Sequence, residues 1–203
     1  MIELFQASPL AAIIFVFTII TSIYAFNDPT LHGKFMLHPY SVAKGQKVHT
    51  LITSGLIHAD WMHLIFNMMT FYFFAFRLES MIGHWQFGAL YLVSLILSDL
   101  PTVFKHKEHF WYNSLGASGA ISAVLFSYIL FDPMAKMGIL FIPIPIPAII
   151  FGVLYLVYCM YAARNAKDHI NHDAHFFGAL SGMLITVILV PGIVQHFMSM
   201  LGW

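Results

Sequence analysis

Apolar residues come in long uncharged runs, separated by short clusters of charge, proline and glycine. A lipid hydrocarbon core of about 30 Å is crossed by about 20 apolar residues in a helix, and that length decides how the runs are read. The first predicted span covers about residues 9–26, with no charged side chain between Glu3 and Asp28. It lacks the basic start of a secretory leader and more apolar runs follow, so it reads as a membrane helix. Asn27-Asp28-Pro29 stops it. The stretch to Asp60 is mixed and holds Lys34, Lys44, Lys47 and several histidines; a connection this long is where function often sits. A second span is predicted over about 61–78, with Gly83 closing the turn after it. A third follows over about 84–104, with Asp99 and Pro101 near its end, and then a polar loop from Lys105 to Asn113.

The fourth run, 118–131, ends at Asp132-Pro133. It is short for a full crossing, so its first residues are expected below the membrane surface. In Pro143-Ile144-Pro145-Ile146-Pro147 the prolines exclude a helix interior. They predict an extended lead-in to a fifth helix that starts at Pro147 and runs to about 163. After a loop from Arg164 to Asp173, a sixth span covers about 174–190. Residues 174–203 carry no charged side chain, and the tail beyond Pro191 is expected at the membrane interface. There is no internal repeat and no linker. The pattern predicts one domain over residues 1–203, an all-α membrane protein built as a six-transmembrane-helix bundle. In such a bundle the second, fourth and sixth helices start on the same membrane face.

Composition sharpens this. The 203 residues are 60% hydrophobic and 9% charged, with a mean hydropathy of +0.80. Soluble domains carry about 45–50% apolar and about 25% charged residues, so an ordinary cytosolic enzyme and a disordered protein are excluded. Nine Lys+Arg balance nine Asp+Glu, which leaves no basic surface for phosphates and no nucleic-acid partner. The single cysteine, Cys159, rules out an internal disulfide and a Cys-rich metal site. Twelve histidines outnumber the nine cationic side chains, an odd inventory for a chain in lipid.

Candidate chemistry gathers at the starts of the even-numbered spans. His63 and Asn67 lie four residues apart, on one helix face. Gly116-Ala117-Ser118-Gly119 puts a serine at a helix start, where free N–H groups and the dipole favour a developing anion. Ala174-His175-Phe176-Phe177-Gly178 opens the sixth span with an imidazole. A serine is a weak nucleophile until a base takes its proton, and neutral histidine does that near pH 7. The Ser118 amide, Asn67 and His63 could then donate to an oxyanion. Taken singly, an intramembrane His or Asn is often only an interhelical hydrogen-bond partner, worth about 0.6 kcal/mol. Gly119 with Ala123, and Gly178 with Gly182, also fit small-residue helix packing, which would bring Ser118 and His175 together.

Taken together, these residues resemble the rhomboid family of intramembrane serine proteases. The resemblance covers about Pro9 to Val190 and rests on His63-x-x-x-Asn67, Glu79-Ser-Met-Ile-Gly83, Gly116-Ala-Ser118-Gly119 and Ala174-His175-x-x-Gly178. It implies Ser118 as nucleophile and His175 as general base, with no cofactor. His63, Asn67 and the Ser118 amide would form the oxyanion hole. It also implies a water-filled cavity open to the extracytoplasmic side, transmembrane protein substrates, and a lateral gate at the fifth helix and adjoining loop. The expected setting is a lipid bilayer, with the plasma (inner) membrane as the favoured one.

The sequence departs from the family at two points. Many members carry Trp-Arg in the long first loop, where this chain reads Val48-His49-Thr50. A tyrosine often supports the base from four residues after the serine, and here that position is Ser122. No carboxylate orients His175; Asp173 lies about 200° around the helix, so slow turnover is expected. His58 is expected as a loop-folding hydrogen-bond partner and Glu79 as a tether of the second turn, while Gly116, Gly119 and Gly178 pack near the site. His32, His38, His106 and His109 read as headgroup-level loop residues. His169, His172 and His175 at three-residue spacing, with Asp168 and Asp173 among them, make a metal site the rival reading. Without His-Glu-x-x-His, no metal is expected. Counted by charge, Lys34, Lys44, Lys47, Lys105, Lys107, Arg164 and Lys167 flank the candidate site's face, against Arg77 and Lys136 opposite. The positive-inside rule would make that face cytoplasmic, whereas the family implies the reverse, and the family topology is preferred. The alternatives are a non-proteolytic rhomboid-like protein that binds membrane helices, and a small transporter or metal-binding membrane protein.

Overall fold

A computed structural model describes residues 2–139, 142–166, 168 and 170–203. A short α1 (Ile2–Ala7) leads into α2 (Pro9–Asn27). The first loop holds three short α-helices, α3 (Pro29–Phe35), α4 (Pro39–Val42) and α5 (Thr50–Thr53), and a 3₁₀ turn over Ser54–Leu56. Then come α6 (Trp61–Ile82), α7 (His84–His106) and α8 (Ser118–Phe131). A hairpin of β1 (Lys136–Ile139) and β2 (Ile142–Pro147) precedes α9 (Ala148–Asn165), α10 (His172–Leu189) and α11 (Ile193–Met200). Helices therefore occupy all six segments read as spans. Four of them, α2, α7, α9 and α10, are long and apolar enough by length and composition to cross a membrane. Their outer faces carry large apolar side chains, such as Ile13 and Phe17 on α2 and Val153 and Leu154 on α9, as lipid contact requires.

Two expectations need correction. The proline run is not a bare extended lead-in but strand β2, paired antiparallel with β1 in the register Met137↔Ile146, and α9 begins at Ala148 rather than Pro147. Prolines at alternate positions put every missing N–H on one edge of β2, so the intervening isoleucines keep donors for the partner strand. The tail beyond Pro191 forms the helix α11.

Helix α8 decides where the site sits. All its residues from Gly119 to Ile129 are buried, surrounded by α6, α7 and α10. Its 14 residues rise only about 21 Å at 1.5 Å each, less than a bilayer core. At its N-terminal end Ala117 and Gly119 are buried, so that end lies inside the bundle. The tightest packing is between α8 and α10. A Cβ added to Gly178 would collide with the Gly119 carbonyl, and one on Gly182 with the Ala123 backbone, so the two backbones touch where the glycines face. Two further bonds join these helices: Thr186 donates to the Ser127 hydroxyl (2.7 Å) and Ser127 to the Gly182 carbonyl (3.1 Å).

Elsewhere, the fully buried Glu79 carboxylate accepts from the Leu10 and Ala11 amides (3.1 and 2.6 Å). It thereby anchors α6 to the positive N-terminal end of α2, and it also contacts His84 Nδ1 at 2.7 Å. Around this tether Phe71, Phe76 and Phe87 form the centre of the main core. The first loop is stitched to the segment before α8 by the Leu37–Ser114 backbone pair (2.9 and 3.0 Å), and the Gly116 amide donates to the Ser54 carbonyl (2.9 Å).

Candidate active site

The starts of α6, α8 and α10 meet at one cavity of about 890 Å³. Ser118, His175, His63 and Asn67 all line it, with Ser98 and Asp99 on a further wall. Ser118 is the first residue of α8, so its amide is among those with no acceptor within the helix. The preceding Gly116 has φ +112°, and a Cβ there would lie 2.6 Å from His63 Cε1. Glycine is required twice over, by the backbone angle and by the imidazole pressed against it. That contact seats His63 beside the turn that presents Ser118.

Helix α6 starts from Asp60, whose carboxylate caps the His63 amide (2.8 Å). His58 stands edge-on to His63, ring centroids 4.8 Å apart, and its Nδ1 bonds the Ser22 hydroxyl of α2 at 2.9 Å. It is fully buried; desolvation first, then the neighbouring His63, pushes its pKa down to about 3. His58 is thus a neutral wedge between α2 and the cavity wall. One turn along α6, Asn67 is 8% exposed and its Nδ2 has no hydrogen-bond partner among the described residues. A buried amide donor left unpaired costs about 1–3 kcal/mol, and this one belongs to a residue that lines the cavity.

On α10, His175 is flanked by two rings. Tyr155 of α9 stacks on it, centroids 6.2 Å apart and planes 16° from parallel, while His172 meets it edge-on at 5.9 Å. The Tyr155 hydroxyl and Ser122 Oγ are 3.1 Å apart. Ser122 holds the position where the family often has its tyrosine, so an aromatic support reaches the histidine from a different helix. Asp173 turns away, onto Lys105. Asn171 was not marked by sequence reasoning. It caps α10 by accepting from the Ala174 amide (3.1 Å), and its Nδ2 donates to Thr102 (2.9 Å) and Ser114 (3.2 Å). One side chain thus ties the start of α10 to α7 and to the segment before Ser118. An Asn ahead of an apolar run is a helix-start signal, and that was the available clue. Of the rival histidine trio, His169 lies outside the described residues, as does Lys167; His172 and His175 lie close together and Cys159 of α9 joins them.

Fold and cavity define a helical integral membrane protein whose polar side chains converge below the surface at one end of the bundle. The family-wide comparison agrees with this class: residues 45–192 match the model of the Rhomboid domain. The chain belongs to the rhomboid family. It is 28% identical over 174 residues to RHOMBOID-like protein 12, mitochondrial, of Arabidopsis thaliana, covering 76% of this chain and 50% of the relative. It is 34% identical over 143 residues to YdcA of Bacillus subtilis (strain 168), whose name marks it as a candidate rhomboid protease, covering 69% and 66%. To presenilin-associated rhomboid-like protein A, mitochondrial, of Danio rerio it is 32% identical over 179 residues, covering 81% and 46%. The chain thus spans about half to two-thirds of these relatives' length. Two of the three are named as mitochondrial, so the expected plasma membrane finds no support among them.

Proposed function

We propose that this protein is an intramembrane serine endopeptidase that cuts membrane-anchored proteins in or near their transmembrane segments. The reading is carried by one observation: Ser118, His175, His63 and Asn67 line a single cavity at the inset N-terminus of the buried helix α8. In this reading α2, α6, α7, α8, α9 and α10 are the six membrane-embedded helices, with α8 the short one, and the cavity opens on the extracytoplasmic face. Thiol labelling of Lys44→Cys in intact cells tests that orientation, and labelling only after lysis reverses it.

His175 takes the Ser118 hydroxyl proton as Oγ attacks the scissile carbonyl carbon. The oxyanion that forms accepts from the Ser118 amide, from Asn67 Nδ2 and from His63. Collapse expels the amine, which leaves with the proton held on His175, and water then hydrolyses the acyl-enzyme by the reverse proton path. A second cavity of about 770 Å³, lined by Phe66 and Phe73 of α6, Tyr128 of α8 and Phe151 of α9, supports lateral access for an apolar substrate helix between α6 and α9.

The test is labelling of purified protein with a fluorophosphonate, together with cleavage of a transmembrane substrate in proteoliposomes. Wild type is expected to label and Ser118→Ala to give no signal. Equal labelling of the two would end the assignment.

A further inference from the structure

Beside the proposed dyad, three metal-ligating side chains converge from two helices. Cys159 is fully buried on α9, while His172 and His175 share one face of the first turn of α10. Each offers one ligand atom, and these atoms all lie within 4.8 Å of one another. Around tetrahedral zinc, with Zn–S about 2.3 Å and Zn–N about 2.0–2.1 Å, ligand atoms stand about 3.3–3.6 Å apart. Side-chain rotations that move the atoms by roughly an ångström would close the site.

A second observation points to a ligand independently. His172 is 4% exposed, and its Nε2 lies 3.2 Å from both carboxylate oxygens of Asp168. This is the carboxylate–histidine pairing that orients metal-bound imidazoles. With Nε2–H held by Asp168, the lone pair is on Nδ1, and that atom is buried with no hydrogen-bond partner among the described residues. His172 thus carries a buried, unpartnered nitrogen on a ring oriented by Asp168, within reach of a thiol and a second imidazole.

We propose that Cys159, His172 and His175 form a binding site for a borderline-soft divalent ion of the zinc class. One sulfur and two imidazole nitrogens suit zinc over calcium or magnesium, which take oxygen ligands. Water from the cavity, which Asp168 and His175 both line, fills the fourth position. Binding forms a Zn–S and two Zn–N bonds and releases the Cys159 thiol proton to solvent, with no change of oxidation state. The consequence for activity rests on the function proposed above. A neutral imidazole has one basic nitrogen, and once the ion holds it, His175 cannot take the Ser118 proton. Zinc is therefore an inhibitor that acts by occupying the base.

The experiment titrates the purified, metal-stripped full chain with cobalt(II). The chain has one cysteine, so a saturable thiolate-to-cobalt charge-transfer band in the near ultraviolet can come only from Cys159. The band is expected to saturate at one equivalent and to be displaced by zinc. It should vanish in Cys159→Ala and Cys159→Ser and weaken in His172→Ala, with wild-type melting rising on zinc addition and that of the cysteine variants unmoved. No saturable band, or a cobalt isotherm unchanged by Cys159→Ala, overturns the site. In parallel, zinc should slow fluorophosphonate labelling of wild type by tenfold or more, on the order of losing the base, and should not slow that of Cys159→Ala. Equal slowing of both overturns the inhibition. A cobalt band without any labelling at either zinc level removes the protease reading and leaves the metal site standing.

Discussion

Tyr155→Ala tests whether a ring from α9 holds the proposed base in place. The ring stacks on His175 at 6.2 Å and 16° and is itself packed against Phe151 (5.9 Å) and Phe126 (5.8 Å). An aromatic pair contributes about 0.5–1.5 kcal/mol beyond its buried area. That is roughly the energy that keeps the imidazole in one rotamer, because no carboxylate hydrogen-bonds to it among the described residues. Losing it lets the nitrogen wander by an ångström or so, and a misplacement of that size costs about 10²-fold. Tyr155→Ala should therefore slow labelling of Ser118 by about 10–100-fold. Tyr155→Phe keeps the stack and gives up the hydroxyl's contacts with Ser122 (3.1 Å) and Cys159, neutral bonds worth about 0.5–1.5 kcal/mol each. It should retain most of the rate. The assay is the second-order labelling rate of detergent-purified variants, with melting temperatures confirming folded protein. A wild-type rate in Tyr155→Ala would refute the reasoning, and equal losses in both variants would move the effect from the ring to the hydroxyl.

Three further outcomes follow from the same geometry. Asn67→Ala removes the unpaired Nδ2, and the labelling rate should fall by about 10²–10³, the usual cost of one oxyanion donor. Gly178→Ala drives a methyl into the Gly119 carbonyl; overpacking costs about 1–3 kcal/mol, seen as a lower melting temperature together with lost labelling, whereas full activity would contradict the close approach of α8 and α10. His58 has its pKa lowered from 6.5 to about 3, so between those values the unfolded chain binds the extra proton and stability falls as pH falls. His58→Asn should flatten the acid limb of the melting-temperature profile over that window, and an unchanged slope would place the titration elsewhere.

The helices were readable because lipid leaves the chain few options: an uncharged run must satisfy its own backbone, and charge, proline and glycine mark where it stops. The short fourth run predicted a short helix, and α8 has 14 residues with Ser118 as its first. The hairpin was not readable, since proline is normally a strand breaker and only pairing with β1 makes its alternation useful. Asn171 went unmarked in the sequence although an Asn before an apolar run can start a helix, and its bonds to Thr102 and Ser114 cross from the start of α10 to segments far earlier in the chain.

By itself, then, the sequence determined a membrane-embedded helical chain of rhomboid type and the serine, histidines and asparagine that open its even-numbered helices, because periodicity, breakers and local spacing are properties of neighbouring residues. The tertiary structure decided what surrounds them. It alone sets Tyr155 against His175, presses His63 onto Gly116, leaves Asn67 Nδ2 unpaired and brings Cys159 to His172, because each of these is a meeting of separate helices, settled by how their small faces pack and not by any local pattern.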